Sequence, residues 1–228
     1  MTHVLSLGGS IVAPDRPDTD FLTRFCSTVR NHVRSSDDRV VLVIGGGGPA
    51  RIYQQAYQTI DAEWNRDEAD WIGIAATRLN ARLLKALFAE HCLDEVVTDP
   101  TAVGAMTGRV LIAAGWKPGF STDYDAVLLA EHFQAATVVN LSNVAQVYTA
   151  DPKTSQDARP LERVNWSEFR KLVGDDWIPG SNLPFDPVAT RKAAELRLAV
   201  IVAGGRNIDN LARILRGQSF FGTKIGPE

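Results

Sequence analysis

Short apolar, β-branched runs alternate along the chain with longer segments whose apolar positions recur at helical spacing. The strand-like runs are Val4–Leu7, Val40–Ile44, Glu95–Thr98, Val110–Ala113, Thr137–Leu141 and Ala199–Val202. Helical patterns lie between them at Thr19–Val33, Pro49–Thr59, Asp67–Glu90, Asp123–Phe133, Trp166–Val173, Pro187–Leu196 and Asn207–Arg216. Strands separated by helices of this length predict βαβ units around a mainly parallel sheet. The runs at 40–44 and 199–202 are continuously apolar, as expected of strands covered on both faces. Residues 114–122 and 149–164, rich in Gly, Pro, Asp, Thr and Lys, read as loops.

Two glycine clusters punctuate this pattern. Leu5–Ser10 reads LSLGGS and Val43–Ala50 reads VIGGGGPA, each directly after a strand and before a helix. In an open α/β sheet that edge is where ligands bind. Backbone N–H groups of a glycine loop and the following helix N-terminus together favour an oxyanion, so two loops point to two phosphate sites. Gly45, Gly47 and Ala50 also satisfy G-x-G-x-x-A, but no acidic residue closes a second strand about 20 residues on, as a dinucleotide fold requires. No Gly-Lys-Ser/Thr follows either cluster, which excludes a Walker A loop. A purely structural tight turn remains a third reading.

Other chemistry falls on the same edge. Gly115–Asp123 reads GWKPGFSTD, and here Ser121 or Thr122 suits a helix N-cap or a ligand contact, with Asp123 in the first turn. Arg51 sits where a guanidinium can grip a phosphate, or can be a solvated helix arginine. Asp70, in DWIGIAATRLNARLL, can accept from ribose hydroxyls or be surface charge. Asn140–Pro152 reads NLSNVAQVYTADP, another strand end running into a polar loop.

Composition narrows the picture. The 228 residues are 45% hydrophobic and 22% charged with a net charge of −3, which fits one medium-sized α/β domain or two lobes sharing a sheet. No basic block argues for nucleic acid, and no long apolar run argues for a membrane. Cys26 and Cys92 read as buried apolar residues in a reduced compartment, and four scattered histidines lack metal-ligand spacing. The start of the chain shows no basic leader, so a cytoplasmic location is expected.

With these residues in place the chain resembles the amino-acid-kinase superfamily, and within it the archaeal-type uridylate (UMP) kinases. LGGSIVAPDRPDTDFL resembles that family's opening strand and glycine loop, IGGGGPARIY its second loop, and DWIGIAATRLNARLL its nucleoside-side helix. GWKPGFSTDYDAVLLAE resembles its Pro-Gly, Thr-Thr-Asp segment, NVAQVYTADPK its nucleotide-side loop, FDPVATRKAAE its Asp-Pro helix, and FFGTKIGPE its closing strand.

The resemblance implies a three-layer α/β/α sandwich around a mostly parallel sheet of about eight strands, covering residues 1–228 as a single domain. The acceptor-side half would span roughly 1–140 and the nucleotide-side half roughly 141–228. It implies a homo-oligomer, usually a hexamer, and transfer of the ATP γ-phosphoryl group to UMP with Mg²⁺. Gly8, Gly9 and Ser10 would cradle the ATP phosphates, and Asn143, Tyr148, Asp151 and Pro152 would border the ATP site. Gly45, Gly46, Gly47 and Arg51 would hold the UMP phosphate and Asp70 its ribose, with Gly115, Ser121 and Thr122 near the base. Asp123 would organise the transfer site, and Arg191 and Lys192 would supply cations. The chain departs from the pattern at Ser6, in place of a strand-one lysine, at Arg191, in place of a lysine, and at Ala145-Gln146, in place of Asp-Gly. Gln146 is expected to crowd a position that glycine leaves open for close approach or positive φ. A fold-retaining, non-catalytic binding or storage protein, or a kinase of another small phosphate or acid, stays open beside the UMP kinase.

Overall fold

A computed structural model describes residues 1–150, 155–174 and 183–227. Its frame is a seven-stranded sheet formed by β1 (Thr2–Leu7), β2 (Arg39–Ile44), β3 (Val110–Ala113), β4 (Thr137–Ser142), β7 (Arg163–Asn165), β8 (Ala199–Gly204) and β9 (Thr223–Gly226). The order is β3-β2-β1-β4-β8-β9-β7. All neighbours are parallel except β8 and β9. Two-residue strands β5 (Val147–Tyr148) and β6 (Pro160–Leu161) form a separate antiparallel ladder.

The helices are α1 (Gly9–Val12), α2 (Thr19–Ser35), α3 (Gly47–Ile60), α4 (Arg66–Leu87), α5 (Thr122–His132), α6 (Trp166–Val173), α7 (Pro187–Glu195) and α8 (Ile208–Leu215). One face of the sheet buries Leu5, Leu7, Leu42 and Ile44 against α1, α2, α4 and α8. The other buries Val4, Val41, Val43 and Val200 against α5, α6 and α7. Alternate residues of each strand thus enter different cores, which explains why the central runs are apolar throughout. Three layers result, with the sheet in the middle.

The expected strand at 95–98 shrinks to one parallel bridge, Val97 to Ala113, so the described sheet has seven strands rather than about eight. The sheet runs without a break past the division expected near 140, since β1 pairs with β4 and β4 with β8. From β1 the chain adds β2 and then β3 on one side before crossing to β4 on the other. That reversal opens a crevice outside the carboxyl ends of β1 and β4. No described helix is long and apolar enough to cross a membrane.

Candidate functional site

The glycine clusters meet in this crevice, and what they approach most closely is each other. A Cβ on Gly9 would lie 2.0 Å from Gly47 N, one on Gly45 2.4 Å from Gly9 N, and one on Gly48 1.9 Å from Pro14 O. Gly47 also has φ +72°, a left-handed conformation suited to glycine. The loops are joined by Gly45 N donating to Leu7 O at 3.0 Å and Gly48 N to Ala13 O at 2.8 Å. Gly8 N donates across the crevice to Leu141 O at 2.9 Å. Part of the reason for these glycines, read from the sequence as phosphate-binding loops, is therefore the close approach of the neighbouring loop.

A second feature points outward. The N-termini of α2, α4, α5, α6, α7 and α8 are capped by the side chains of Asp18, Asn65, Ser121, Asn165, Asp186 and Asn207. Those of α1 and α3, the two that begin at the glycine loops, have no side-chain cap and no acidic residue in the first turn. Gly48 N and Ile11 N are spent on Ala13 O and Gly8 O, and the remaining first-turn N–H groups with their partial positive charge form a receptor for an anion. Arg51, exposed in the first turns of α3, spans both loops: its guanidinium donates to Ser10 Oγ at 3.3 Å and to Pro14 O at 3.2 Å.

Buried polar side chains fix this geometry from behind. Asn80 Nδ2 donates to Gly45 O at 2.9 Å and Gly46 O at 3.1 Å. Thr77 Oγ1 accepts from Gly115 N at 2.8 Å and donates to Ile74 O. Both lie on α4, whose Asp70 accepts from Gly119 N at 3.0 Å. Gly119, with φ +83°, turns the 114–122 loop toward that helix. Trp116, Phe120 and Tyr124 stack along the loop, with ring centroids 5.2 and 4.7 Å apart, and the Lys117 ammonium lies 3.8 Å from the Trp116 centroid.

Across the crevice, Asp123 joins the end of β1 to the starts of α5 and α7. Ser6 Oγ donates to Asp123 Oδ1 at 2.8 Å, and Asp186 N approaches Oδ2 at 3.4 Å. Burial pushes the Asp123 carboxyl up to about 6, with Asp186 adding repulsion and the Ser6 hydroxyl opposing it. Burial also raises Asp186, against hydrogen bonds from the α7 backbone and the pull of Ser121 and Arg191. Asp125, one turn into α5, is pushed up to about 7 by burial; Trp116 N donates to its Oδ2 at 3.2 Å, and its buried Oδ1 has no partner among the described residues.

The remaining expected site residues separate into groups. Ser121 caps α5 by accepting from Tyr124 N at 3.2 Å, and Thr122 is half-buried in the first turn. Asn143 is exposed just beyond β4, and Tyr148 is half-buried in β5. Arg191 is exposed on α7. Lys192 pairs with Glu131 at 2.9 Å, near the far ends of α7 and α5 from Asp186 and Asp123, so the two neighbouring cations are not equivalent. Asp151 and Pro152 lie outside the described residues.

Gln146 departs from its expectation. It is not at positive φ, a conformation that only Gln134 and Arg197 adopt among the described non-glycine residues. Its side chain is buried and donates to Gly222 O at 3.2 Å, next to Val147 N donating to Thr223 Oγ1. Gln146 ties the β4–β5 loop to the closing strand instead of crowding the crevice. Ala145 is exposed beside Gly204.

Sequence reasoning passed over Asn80, Thr77, Asp125 and Asp186. Asn80 and Thr77 are polar positions within an otherwise apolar helix face, and Asp186 precedes a proline at a helix start, which marks an N-cap.

A profile of the Amino acid kinase family matches residues 1–204. The chain is 35% identical over 235 residues to uridylate kinase of Methanospirillum hungatei, covering 98% of this chain and 94% of that one. It is 30% identical to uridylate kinase of Pyrococcus abyssi, with 100% of each chain covered. The crystal structure of uridylate kinase from Archaeoglobus fulgidus superposes with a TM-score of 0.85 at 30% identity, over 99% of this chain and 100% of that one. UMP kinase of Bacillus anthracis, at 21% identity and a TM-score of 0.78 over 99% and 95% of the two chains, shares the fold.

Proposed function

The chain belongs to the amino acid kinase family, and from that premise we propose that it is an ATP-dependent UMP kinase of the archaeal type, forming UDP and ADP. The observation that carries this reading is the pair of uncapped helix N-termini, α1 and α3, held side by side by touching glycine loops with Arg51 across them. Phosphoryl transfer asks little covalent chemistry of a protein; donors must align two phosphates and cancel their charge.

In this reading Gly8, Gly9 and Ser10 receive the ATP phosphates, with Asn143 and Tyr148 along the nucleotide. Gly45, Gly46, Gly47 and Arg51 receive the UMP phosphate. Asp70, by holding Gly119, shapes the loop that carries Gly115, Ser121 and Thr122 toward the nucleoside. In the ligand-free protein Asp123, through Ser6 and the Asp186 N–H, holds the starts of α5 and α7 against the end of β1. Ser6 carries no charge and its hydroxyl is engaged by Asp123, so the charge of the transferring group falls to Arg51, Arg191 and Mg²⁺.

The donor set fits Mg²⁺. Asp123 and Asp186 offer hard carboxylate oxygens side by side, both raised by burial, and among the described residues neither is ion-paired. These two would hold the ion beside the ATP phosphates, where it supplies charge neutralisation.

A homo-oligomer, with a hexamer favoured, is part of the same proposal. Ile52, Tyr53, Ile60, Trp64, Trp71 and Leu79 leave a large exposed apolar surface on α3, α4 and their connection, which a second copy of the chain would cover. Two free, buried cysteines accord with a cytoplasmic setting, where the reaction would serve pyrimidine nucleotide synthesis. The non-catalytic alternative is not favoured, since the related proteins are named as kinases and Gln146 fits its loop. A coupled ADP-release assay with Mg²⁺-ATP and a panel of nucleoside monophosphates tests the reading: UMP should be the preferred acceptor, and release with another acceptor alone would redirect it.

A further inference from the structure

At the opposite edge of the sheet, away from the glycine loops, two histidines and an aspartate converge. His3 starts β1, His32 lies in the last turn of α2, and Asp38 immediately precedes β2. The crevice lies at the other end of β1, about 13 Å from His3 at the usual rise of about 3.3 Å per strand residue. His3 Nε2 is 3.3 Å and His32 Nε2 3.1 Å from the same oxygen, Asp38 Oδ2. One ligand atom from each residue lies within 4.8 Å of the other two.

Three observations set this cluster apart from ordinary surface charge. First, His32 is 9% exposed and its Nε2 is buried without a hydrogen-bond partner among the described residues: it faces Asp38 closely but without the alignment of a hydrogen bond. Second, the other carboxylate oxygen, Oδ1, is taken by the Met1 amine at 2.7 Å, so both imidazoles face Oδ2. Third, the scaffold is braced. The Arg109 guanidinium donates to Asp38 O and Ser36 O, Asp38 N donates to Ser36 Oγ, and the Ser35 and Ser36 hydroxyls donate to His32 O.

We propose that His3, His32 and Asp38 form a binding site for one divalent transition-metal ion of the Zn²⁺ class. The His3 separation of 3.3 Å matches the edge of a tetrahedron built on metal–ligand bonds of about 2.0–2.2 Å, roughly 3.3–3.6 Å, and the His32 separation of 3.1 Å falls just short of it. A small rotation of the partly exposed His3 ring closes the third edge, and solvent supplies the fourth ligand. Two imidazoles with one carboxylate select Zn²⁺, Co²⁺ or Ni²⁺ over Mg²⁺, so the site is chemically distinct from any need of the crevice for Mg²⁺. The ion would clip together the start of β1, the end of α2 and the approach to β2. His32 also lines a cavity of about 450 Å³ between α2 and α8, with Arg216, just past the end of α8, on the facing side.

Tag-free, metal-stripped full-length protein titrated with Co²⁺ tests this directly. One Co²⁺ per chain should bind with the intense visible bands of a tetrahedral site, Zn²⁺ should displace it, and Zn²⁺ but not Mg²⁺ should raise Tm. His3→Gln and His32→Gln should each weaken binding more than the roughly tenfold that an outer-shell change produces. His3→Gln, at a partly exposed position, gives the reading if His32→Gln fails to fold. No bound Co²⁺, or a spectrum and affinity that persist in His3→Gln, overturns the site.

Discussion

Gly9 and Gly47 stand so close that a Cβ on the first would lie 2.0 Å from the backbone nitrogen of the second. The obstacle is backbone on both sides, so no rotamer change relieves it. Gly9→Ala should therefore destabilise the protein by more than about 3 kcal/mol, the range of severe overpacking. Gly104, with nothing within 4 Å of an added Cβ and no positive φ, is the control, and Gly104→Ala should stay within about 0.5 kcal/mol of the parent. Urea unfolding of the two variants makes the comparison.

Arg51 bridges the loops from an exposed position. Its loss should leave stability nearly unchanged and weaken UMP selectively. A charged hydrogen-bond donor contributes about 1.5–3 kcal/mol, so Arg51→Ala should raise KM for UMP by about 10–100-fold with a much smaller change for ATP. Steady-state kinetics varying each substrate separates the two, and equal effects would mean the loops are misassigned.

Asp125 and Asp123 give the ligand-free protein a pH dependence with a definite sign. Their folded-state pKa values, about 7 and about 6, lie above the ordinary carboxylate value of 3.8. These two groups thus hold protons in the folded state that the unfolded chain releases between about pH 4 and pH 7, so their contribution to unfolding free energy falls as pH rises through that window, while His32, lowered by burial, opposes it just below its ordinary value of 6.5. Asp38, held near 2, acts in the opposite sense only below about pH 4. At about 1.4 kcal/mol per pKa unit, Asp125→Asn should gain about 1–3 kcal/mol at pH 8 and flatten the profile. Denaturant melts at pH 5, 6.5 and 8 check both the slope and its loss.

Much of this architecture was legible from periodicity, because parallel strands buried on both faces give uninterrupted apolar runs such as 40–44 and 199–202. Strand 95–98 was over-read: its composition suits a strand, yet only Val97 finds a partner. The four-residue α1 and the two- and three-residue strands β5, β6 and β7 are too short to leave a periodic signal. At the site, the glycines marked the crevice, but one sequence cannot distinguish a glycine kept for a ligand from one kept for a neighbouring loop. Ser6 and Asp123, 117 residues apart, meet only because β1 and the start of α5 converge on one edge. Their contact had no local signature. Asn80 had one, as a polar residue on an apolar helix face.

Gln146 offers a test of whether an unusual residue is damage or structure. Its buried amide satisfies Gly222 O. Gln146→Gly should therefore destabilise by about 1–3 kcal/mol, from lost packing and an unsatisfied carbonyl. Restoring the family pattern with Ala145→Asp and Gln146→Gly together should lower the melting temperature in differential scanning calorimetry and leave turnover no higher.

The central claim is that these loops align two phosphates for transfer, and product identity tests it most directly. Phosphorus NMR of the purified protein with ATP, Mg²⁺ and UMP should show UDP and ADP rising together in equal amounts, with no inorganic phosphate. UMP left unchanged while ATP persists, or is converted to ADP and inorganic phosphate, would contradict it.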